Sequence, residues 1–327
     1  MNPVPEVTMV KALNEALRRS LQDDDRTLVL GEDIGKLGGV FRVTEGLQSE
    51  FGIDRVFDTP LAESAIAGVS LGLALSGWHP VAEMQFDGFS YPALDQIISH
   101  IAKYRYRSRG RQTAPLVIRI PFAGGIGAAE HHSESPEAYY AHTAGLKVVV
   151  PSSPVDAYHL LRASIADPDP VIFFEPKSRY WAKEEGELDG AESLPIGRAR
   201  VVRPGADCTI FSYGAMVARS VAAAEAASDQ AEVEVIDLRS LVPLDLDAIG
   251  SAVRKTGRAI VVHEAPMTAG FGAEVVARIV EEAFDYLEAT VVRVTGYDTP
   301  YPPATVESHY LPSVRRILAA IDRVTNY

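Results

Sequence analysis

Short apolar runs alternate with helix-like stretches along the whole chain, and that alternation predicts the elements. Residues 27–30 read as a strand ending at Gly31-Glu32-Asp33, and residues 55–58 as a second short strand. Residues 64–75 follow as a helix rich in Ala, Gly and Ser. Residues 81–86 alternate apolar and polar as a strand does. Residues 92–107 read as a helix with Pro92 in its first turn, where a missing N–H is harmless. Further strands are expected at 116–120, 147–150 and 171–174, with a helix at 154–166 between the last two. Strand–helix–strand order of this kind predicts a mainly parallel sheet covered by helices on both faces.

The same alternation resumes further on. Strands are expected at 207–212, 232–236, 259–262 and 290–294, and helices at 215–227, 246–255, 273–287 and 306–324. The stretch between the halves, residues 177–195, is charged, contains Gly186 and Gly190, and follows neither period, so it reads as a linker. The organisation expected is therefore an α/β domain over residues 1–176, a linker over 177–195 and a second α/β domain over 196–327. Internal repeats and low-complexity segments are absent from the sequence.

Composition supports two cores: of 327 residues, 47% are hydrophobic and 23% charged. A formal net charge of −13 disfavours a nucleic-acid partner, because an acidic chain is repelled by phosphate backbones. A basic, aromatic run, Lys103-Tyr104-Arg105-Tyr106-Arg107-Ser108-Arg109-Gly110-Arg111, has the alternation that suits single strands. It continues a helix in an acidic chain, so a solvated or subunit-facing helix end is the simpler reading. Membrane partners are not expected, because no apolar run approaches the ~20 residues a spanning helix needs. The first residues lack a basic segment followed by an apolar one, so no secretory leader is expected. The single cysteine, Cys208, sits in an apolar run and reads as a buried hydrophobe; one cysteine cannot form an internal disulfide, which fits a reducing cytoplasm.

Chemistry is sought at the carboxyl ends of the parallel strands, where open α/β sheets bind ligands. Three segments there carry unusual residues. In Asp58-Thr59-Pro60-Leu61-Ala62-Glu63, a single carboxylate opens a nearly all-apolar helix. Its surroundings should desolvate it and raise its pKa towards a proton-transfer role. From this segment alone, a partner for the helix dipole is the simpler reading. In Gly124-Gly125-Ile126-Gly127-Ala128-Ala129-Glu130-His131-His132-Ser133-Glu134, a glycine-rich loop ends in two histidines, either of which would serve as a proton donor. A metal site from Glu130, His131, His132 and Glu134 is the rival there, but adjacent side chains point apart and the spacing fits no familiar metal motif. In Gln85-Phe86-Asp87-Gly88-Phe89, an amide and aromatics suit a flat heteroaromatic ring, although core packing uses the same residues. The glycines spell neither a dinucleotide nor an ATP fingerprint.

These segments together resemble the beta subunits of thiamine diphosphate-dependent 2-oxo acid dehydrogenases. The resemblance runs through nearly the whole chain. It is carried by Gly31-Glu32-Asp33, Phe41-Arg42-Val43-Thr44-Glu45-Gly46-Leu47, Asp58 to Glu63, Glu83-Met84-Gln85-Phe86, Lys103 to Ser108 and His132-Ser133-Glu134-Ser135-Pro136-Glu137. Further matches are Pro170-Val171-Ile172-Phe173-Phe174-Glu175-Pro176, Glu234-Val235-Ile236-Asp237-Leu238-Arg239-Ser240-Leu241 and Asp298-Thr299-Pro300-Tyr301-Pro302-Pro303-Ala304. The resemblance implies a transketolase-like pyrimidine-binding domain followed by a transketolase C-terminal domain. It also implies an α₂β₂ heterotetramer with thiamine diphosphate between an alpha and a beta chain.

In that family the glutamate matching Glu63 bonds N1′ of the aminopyrimidine and so activates the cofactor. Leu61, Gln85 and Phe89 match residues around the pyrimidine. His132 matches a histidine assigned to reductive acylation of the lipoyl group carried by the dihydrolipoyl acyltransferase core. Thiamine enzymes commonly hold diphosphate and metal with a Gly-Asp-Gly segment followed by an Asn. This chain has no Gly-Asp-Gly, so the alpha partner is expected to supply that half and the Mg²⁺.

Pro60-Leu61-Ala62-Glu63, Glu83-Met84-Gln85-Phe86, Lys103 to Ser108, Ser133 to Glu137 and Phe173-Phe174-Glu175-Pro176 lean towards the branched-chain type, acting on 3-methyl-2-oxobutanoate, with the pyruvate type second. A non-catalytic assembly subunit is the alternative from another class, and the joint presence of Glu63 and His132 argues against it. In the second domain, His263-Glu264 and Gly270-Phe271-Gly272 read as tight turns at an interface. Family analogy makes this domain dock the acyltransferase core. Arg315 and Arg316 are candidates for that only by charge, and a solvated helix face is the simpler reading.

Overall fold

The computed structural model describes residues 6–188 and 193–327. Fourteen strands run in chain order among them: β1 Glu6–Thr8, β2 Thr27–Gly31, β3 Val56–Asp58, β4 His79–Glu83, β5 Val117–Phe122, β6 Lys147–Val149 and β7 Val171–Pro176, then β8 Lys183–Glu185, β9 Arg200–Arg203, β10 Cys208–Ser212, β11 Val233–Asp237, β12 Ser240–Val242, β13 Ala259–Pro266 and β14 Val292–Gly296. The larger sheet has the order β12–β6–β7–β5–β4–β2–β3. Its pairings are parallel throughout, except where β12 lies antiparallel on β6. The second sheet, β14–β13–β10–β11–β9, is parallel apart from β9. Strands β2, β5, β7 and β10 are buried at every position, as strands covered on both faces must be.

The helix Met9–Asp23 is an element the pattern reading passed over. Met9, Leu13, Ala16, Leu17 and Leu21 form a buried stripe, and the Thr8 hydroxyl caps the helix by accepting the Lys11 N–H at 3.3 Å. The expected helix over 92–107 is three short pieces instead: a 3₁₀ turn Gly88–Ala93 that contains Pro92, a π-helical stretch Gln96–Ile101 and a last turn Tyr104–Arg107. The expected strand 81–86 starts two residues earlier and stops at Glu83, freeing Gln85 and Phe86 for the following loop. The expected helix 306–324 is broken into Glu307–Tyr310 and Val314–Thr325. Pro312 cannot donate in a helix, and Ser313 starts the second piece by accepting the Arg316 N–H at 3.3 Å. Likewise 273–287 is a helix over Gly272–Ala283 and a separate 3₁₀ turn Phe284–Tyr286.

The segment read as a linker is not featureless. Lys177 is fully buried, and β8 pairs antiparallel with β1. Residues 189–192 lie outside the described residues. The halves are joined through β12, which comes from the second half yet completes the first sheet. Arg239, just before β12, is buried. It donates to Asp156 at 2.7 Å and to the Arg198 carbonyl at 2.6 Å, while Ser152 donates to Asp237 at 2.5 Å across the same joint. His263 and Glu264 are not in a turn: both are buried within β13. Arg316 is not on a free face either, since it donates to the Thr295 carbonyl at 2.6 Å and stacks on Tyr297 at 4.6 Å.

Candidate active site

Neighbouring parallel strands β3, β2, β4 and β5 end on one edge of the sheet, so the segments that follow them meet there. Glu63 follows β3, Glu32 and Asp33 follow β2, Gln85 to Phe89 follow β4, and the loop carrying His132 follows β5. The close approach of β2 and β4 depends on Gly31, where a Cβ would sit 2.7 Å from the Glu83 carbonyl oxygen.

Glu63 is the first residue of the helix Glu63–Leu75 and is only 7% exposed. The carboxyl that this cluster holds above its ordinary range is Glu32, pushed up to about 7 by burial and by the neighbouring charges of Glu63 and Asp33. Its Oε1 is buried and has no hydrogen-bond partner among the described residues. Gln85 closes the cluster by donating to Asp33 at 2.8 Å. Leu61, two residues before Glu63, is 77% exposed.

Aromatic rings continue the wall. Phe86 and Phe89 meet edge-to-face at 5.7 Å, and His132 stands edge-on to both, at 4.3 Å and 5.1 Å. His132 is held below the ordinary histidine value by burial, then by His131 and by Lys177. Its Nδ1 is buried and partnerless among the described residues. Glu63, Gln85, Phe89 and His132 are thus brought to one strand edge. Glu32 was read in the sequence only as a strand end and as part of a family match, not as a site residue; its place at the end of a parallel strand, like that of Glu63, was the signal for a site role.

The rival metal reading finds no geometry: among the described residues, no group of three or more His, Cys, Asp or Glu is arranged to hold a metal ion. Glu134 is instead bonded by the Tyr91 hydroxyl at 2.5 Å. The glycines before the histidines present their backbone to the second domain. Gly124 N–H donates to Glu264 at 3.0 Å, and Gly125 N–H donates to Glu307 at 2.9 Å.

Comparison with known proteins identifies the fold and the family. The transketolase pyrimidine-binding domain family matches residues 5–182, and the transketolase C-terminal domain family matches residues 197–317. A split-gene transketolase, solved as an inactive β4 tetramer, shares the fold with a TM-score of 0.81 at 22% identity over 98% of each chain. The class is therefore transketolase-like, pyrimidine-binding domain first. Among curated relatives, the 3-methyl-2-oxobutanoate dehydrogenase subunit beta of Mycobacterium tuberculosis is 56% identical over 97% of this chain and 92% of its own. The pyruvate dehydrogenase E1 component subunit beta of Leifsonia xyli is 54% identical over 99% and 96%. The 2-oxoisovalerate dehydrogenase subunit beta of Pseudomonas aeruginosa is 46% identical over 98% and 95%. The chain belongs to the family of 2-oxo acid dehydrogenase beta subunits. No helix among the described residues is long and apolar enough to cross a membrane.

Proposed function

We propose that this chain is the beta half of a cytoplasmic branched-chain 2-oxo acid dehydrogenase, working with an alpha subunit in an α₂β₂ assembly and passing the acyl group to the lipoyl arm of an acyltransferase core. The observation that carries the reading is the strand-edge cluster of Glu63, Glu32 and Gln85 beside the Phe86–Phe89–His132 wall. A buried carboxylate, an orphaned carboxyl oxygen and a ring-lined wall fit the aminopyrimidine end of thiamine diphosphate. Bound there, the cofactor would supply the electron sink for decarboxylation. Glu63 would hold a proton at the pyrimidine nitrogen, Gln85 and Phe89 would orient the ring, and Leu61 would close the rim once a partner covers it. His132, kept neutral near pH 7 by its surroundings, is suited to proton exchange during acylation of the lipoyl sulfur. The sequence has no Gly-Asp-Gly segment for diphosphate and Mg²⁺, which supports assigning those contacts to the alpha subunit.

Relatives named for branched-chain substrates and relatives named for pyruvate lie at similar identity, which keeps the pyruvate type as the second reading. Co-purification with its alpha chain, followed by decarboxylation assays on 3-methyl-2-oxobutanoate and pyruvate, decides between them. Equal or faster turnover of pyruvate would remove the branched-chain assignment. In the same preparation, Glu63→Gln should abolish turnover while leaving the assembly intact. Unchanged activity in that variant would mean an assembly subunit rather than a catalytic one.

A further inference from the structure

Asp87 lies in the loop after β4 that carries Gln85, Phe86 and Phe89, and it is completely buried. Both of its oxygens are committed. Oδ1 pairs with the ammonium of Lys177, and Oδ2 accepts the backbone N–H of Glu134 at 2.7 Å. Lys177 is itself buried and is the first residue after β7. One ion pair therefore ties the exits of β4 and β7 together, and the second oxygen of the same carboxylate reaches the loop that follows β5.

That loop is the one bearing His132, and Glu134 is its fixed point. The Glu134 N–H is held by Asp87, its carbonyl accepts the Ala123 N–H at 2.8 Å, and its carboxylate accepts the Tyr91 hydroxyl at 2.5 Å. Gly88 lets the two loops touch, because a Cβ there would overlap the His131 carbonyl oxygen. Two residues before Glu134, the His132 ring rests edge-on against Phe86 and Phe89. Beyond the Ala123 bond and the bonds inside the turn Glu130–His132, side-chain contacts hold this end of the loop against the loop after β4. An ionised carboxylate holds an N–H more strongly than a neutral acceptor does, and the buried ammonium of Lys177 favours the ionised form. Burial pushes Asp87 up to about 6, with Lys177 pulling the other way.

We infer that the Asp87–Lys177 pair is a positioning device for His132: it pins the main chain of Glu134 to the loop after β4 and thereby fixes the imidazole for acyl transfer to the lipoyl group. Both residues act through Glu134 rather than on substrate or cofactor. The inference rests on the role proposed above for His132.

The test uses the reconstituted α₂β₂ enzyme with two assays, decarboxylation with an artificial electron acceptor and reductive acylation of a free lipoyl domain, together with hydrogen exchange at the Glu134 amide. Asp87→Ala should expose that amide to exchange. It should lower the acylation kcat by ~10-fold or more, since small misplacements of a reacting group are costly in rate. Dye-linked decarboxylation and the KM for the lipoyl domain should stay within ~3-fold. The double variant D87N/K177M removes both charges of the pair and keeps a carbonyl oxygen for the Glu134 N–H, so it should fold and recover most of the acylation rate. Gly88→Ala should reproduce the acylation defect without any change of charge.

Full amide protection in Asp87→Ala would overturn the inference, as would equal loss in both assays that D87N/K177M does not restore. Should Asp87→Ala not fold, Gly88→Ala with unchanged acylation overturns it equally. His132→Ala is the separate control: if it lowers both assays alike, the role of His132 is wrong, while Glu134 exchange still reports whether Asp87 holds the loop.

Discussion

Arg119 lies in the middle of β5 with no exposed surface, a guanidinium placed where the neighbouring residues are apolar. It is held on both sides. Glu175 on β7 accepts from Nε at 2.6 Å and from Nη2 at 2.9 Å, and Glu83 on β4 accepts from Nη1 at 2.7 Å. The Tyr180 hydroxyl completes the set on Glu175 at 2.6 Å. Replacing Arg119 by Met removes the cation and strands two buried carboxylates. Leaving one partner of a buried pair uncompensated costs ~3–5 kcal/mol, a large part of the ~5–15 kcal/mol that a folded chain has to lose.

The loss should depend on pH, with a definite sign. Glu83 already stands above its ordinary range because burial outweighs the pull of Arg119. Without Arg119, Glu83 loses that pull and rises further in the folded state, while its unfolded value stays near ~4.3. A carboxyl whose folded pKa is raised binds extra protons in the folded state, so its stability contribution falls as pH climbs from the unfolded value towards the folded one. The deficit of Arg119→Met against the parent chain should therefore be smaller at pH 5 than at pH 8, by about 1.4 kcal/mol for each unit of added shift titrated between them. Urea unfolding at both pH values reads this directly, at fixed protein concentration because subunit association is linked to folding. The neutral triple variant R119M/E83Q/E175Q should recover most of the loss. A deficit under ~1 kcal/mol, or one identical at both pH values, would refute the reasoning.

Two further outcomes follow from single groups. Glu32 titrates near 7 in the folded chain, so its ionisation costs stability between its ordinary range and that value; Glu32→Gln should gain melting temperature over the parent at pH 8 and gain less at pH 5, and a gain independent of pH would count against the raised carboxyl. Cys208 is fully buried, and burial pushes its thiol up to about 12; a thiol reagent at pH 8 should label it only after denaturation, and rapid labelling of the native chain would show a strand more open than this one.

The main parallel strands, the two α/β halves and the position of Glu63, Gln85, Phe89 and His132 after strand ends were legible because each rests on local signals. Apolar runs mark strands, and the carboxyl ends of parallel strands mark sites. What was not legible rests on contacts far apart in the chain. Arg119 finds Glu83 and Glu175 across 36 and 56 residues, and Lys177 finds Asp87 across 90. Nothing in the sequence around Lys177 separates it from the solvated lysines of a charged linker. The helix read over 92–107 shows a different limit: periodicity reports which face is apolar, not whether the backbone winds as 3₁₀, α or π. Pro312, by contrast, was a visible break inside the expected 306–324 helix, and weighing it would have divided that helix correctly.

The second domain has no catalytic group in the cluster, yet the site is not independent of it. The glycine-rich loop leads from β5 to His132, and three of its backbone N–H groups are taken by second-domain carboxylates: Gly124 by Glu264, and Gly125 and Gly127 by Glu307. Tyr301 donates to the same Glu307 at 2.7 Å. A loop whose backbone donors are satisfied only by another domain can hold one conformation only while the domains stay docked. Docking in turn depends on β12 and on the buried contacts of Arg239 with Asp156 and the Arg198 carbonyl. The loop bearing His132 is thus held at one end by the second domain and at the other by Asp87 and Lys177. Glu63 begins a helix of the first domain and has neither dependence. A disturbance of the domain joint should therefore reach His132 before it reaches Glu63, and acyl transfer should be lost before decarboxylation.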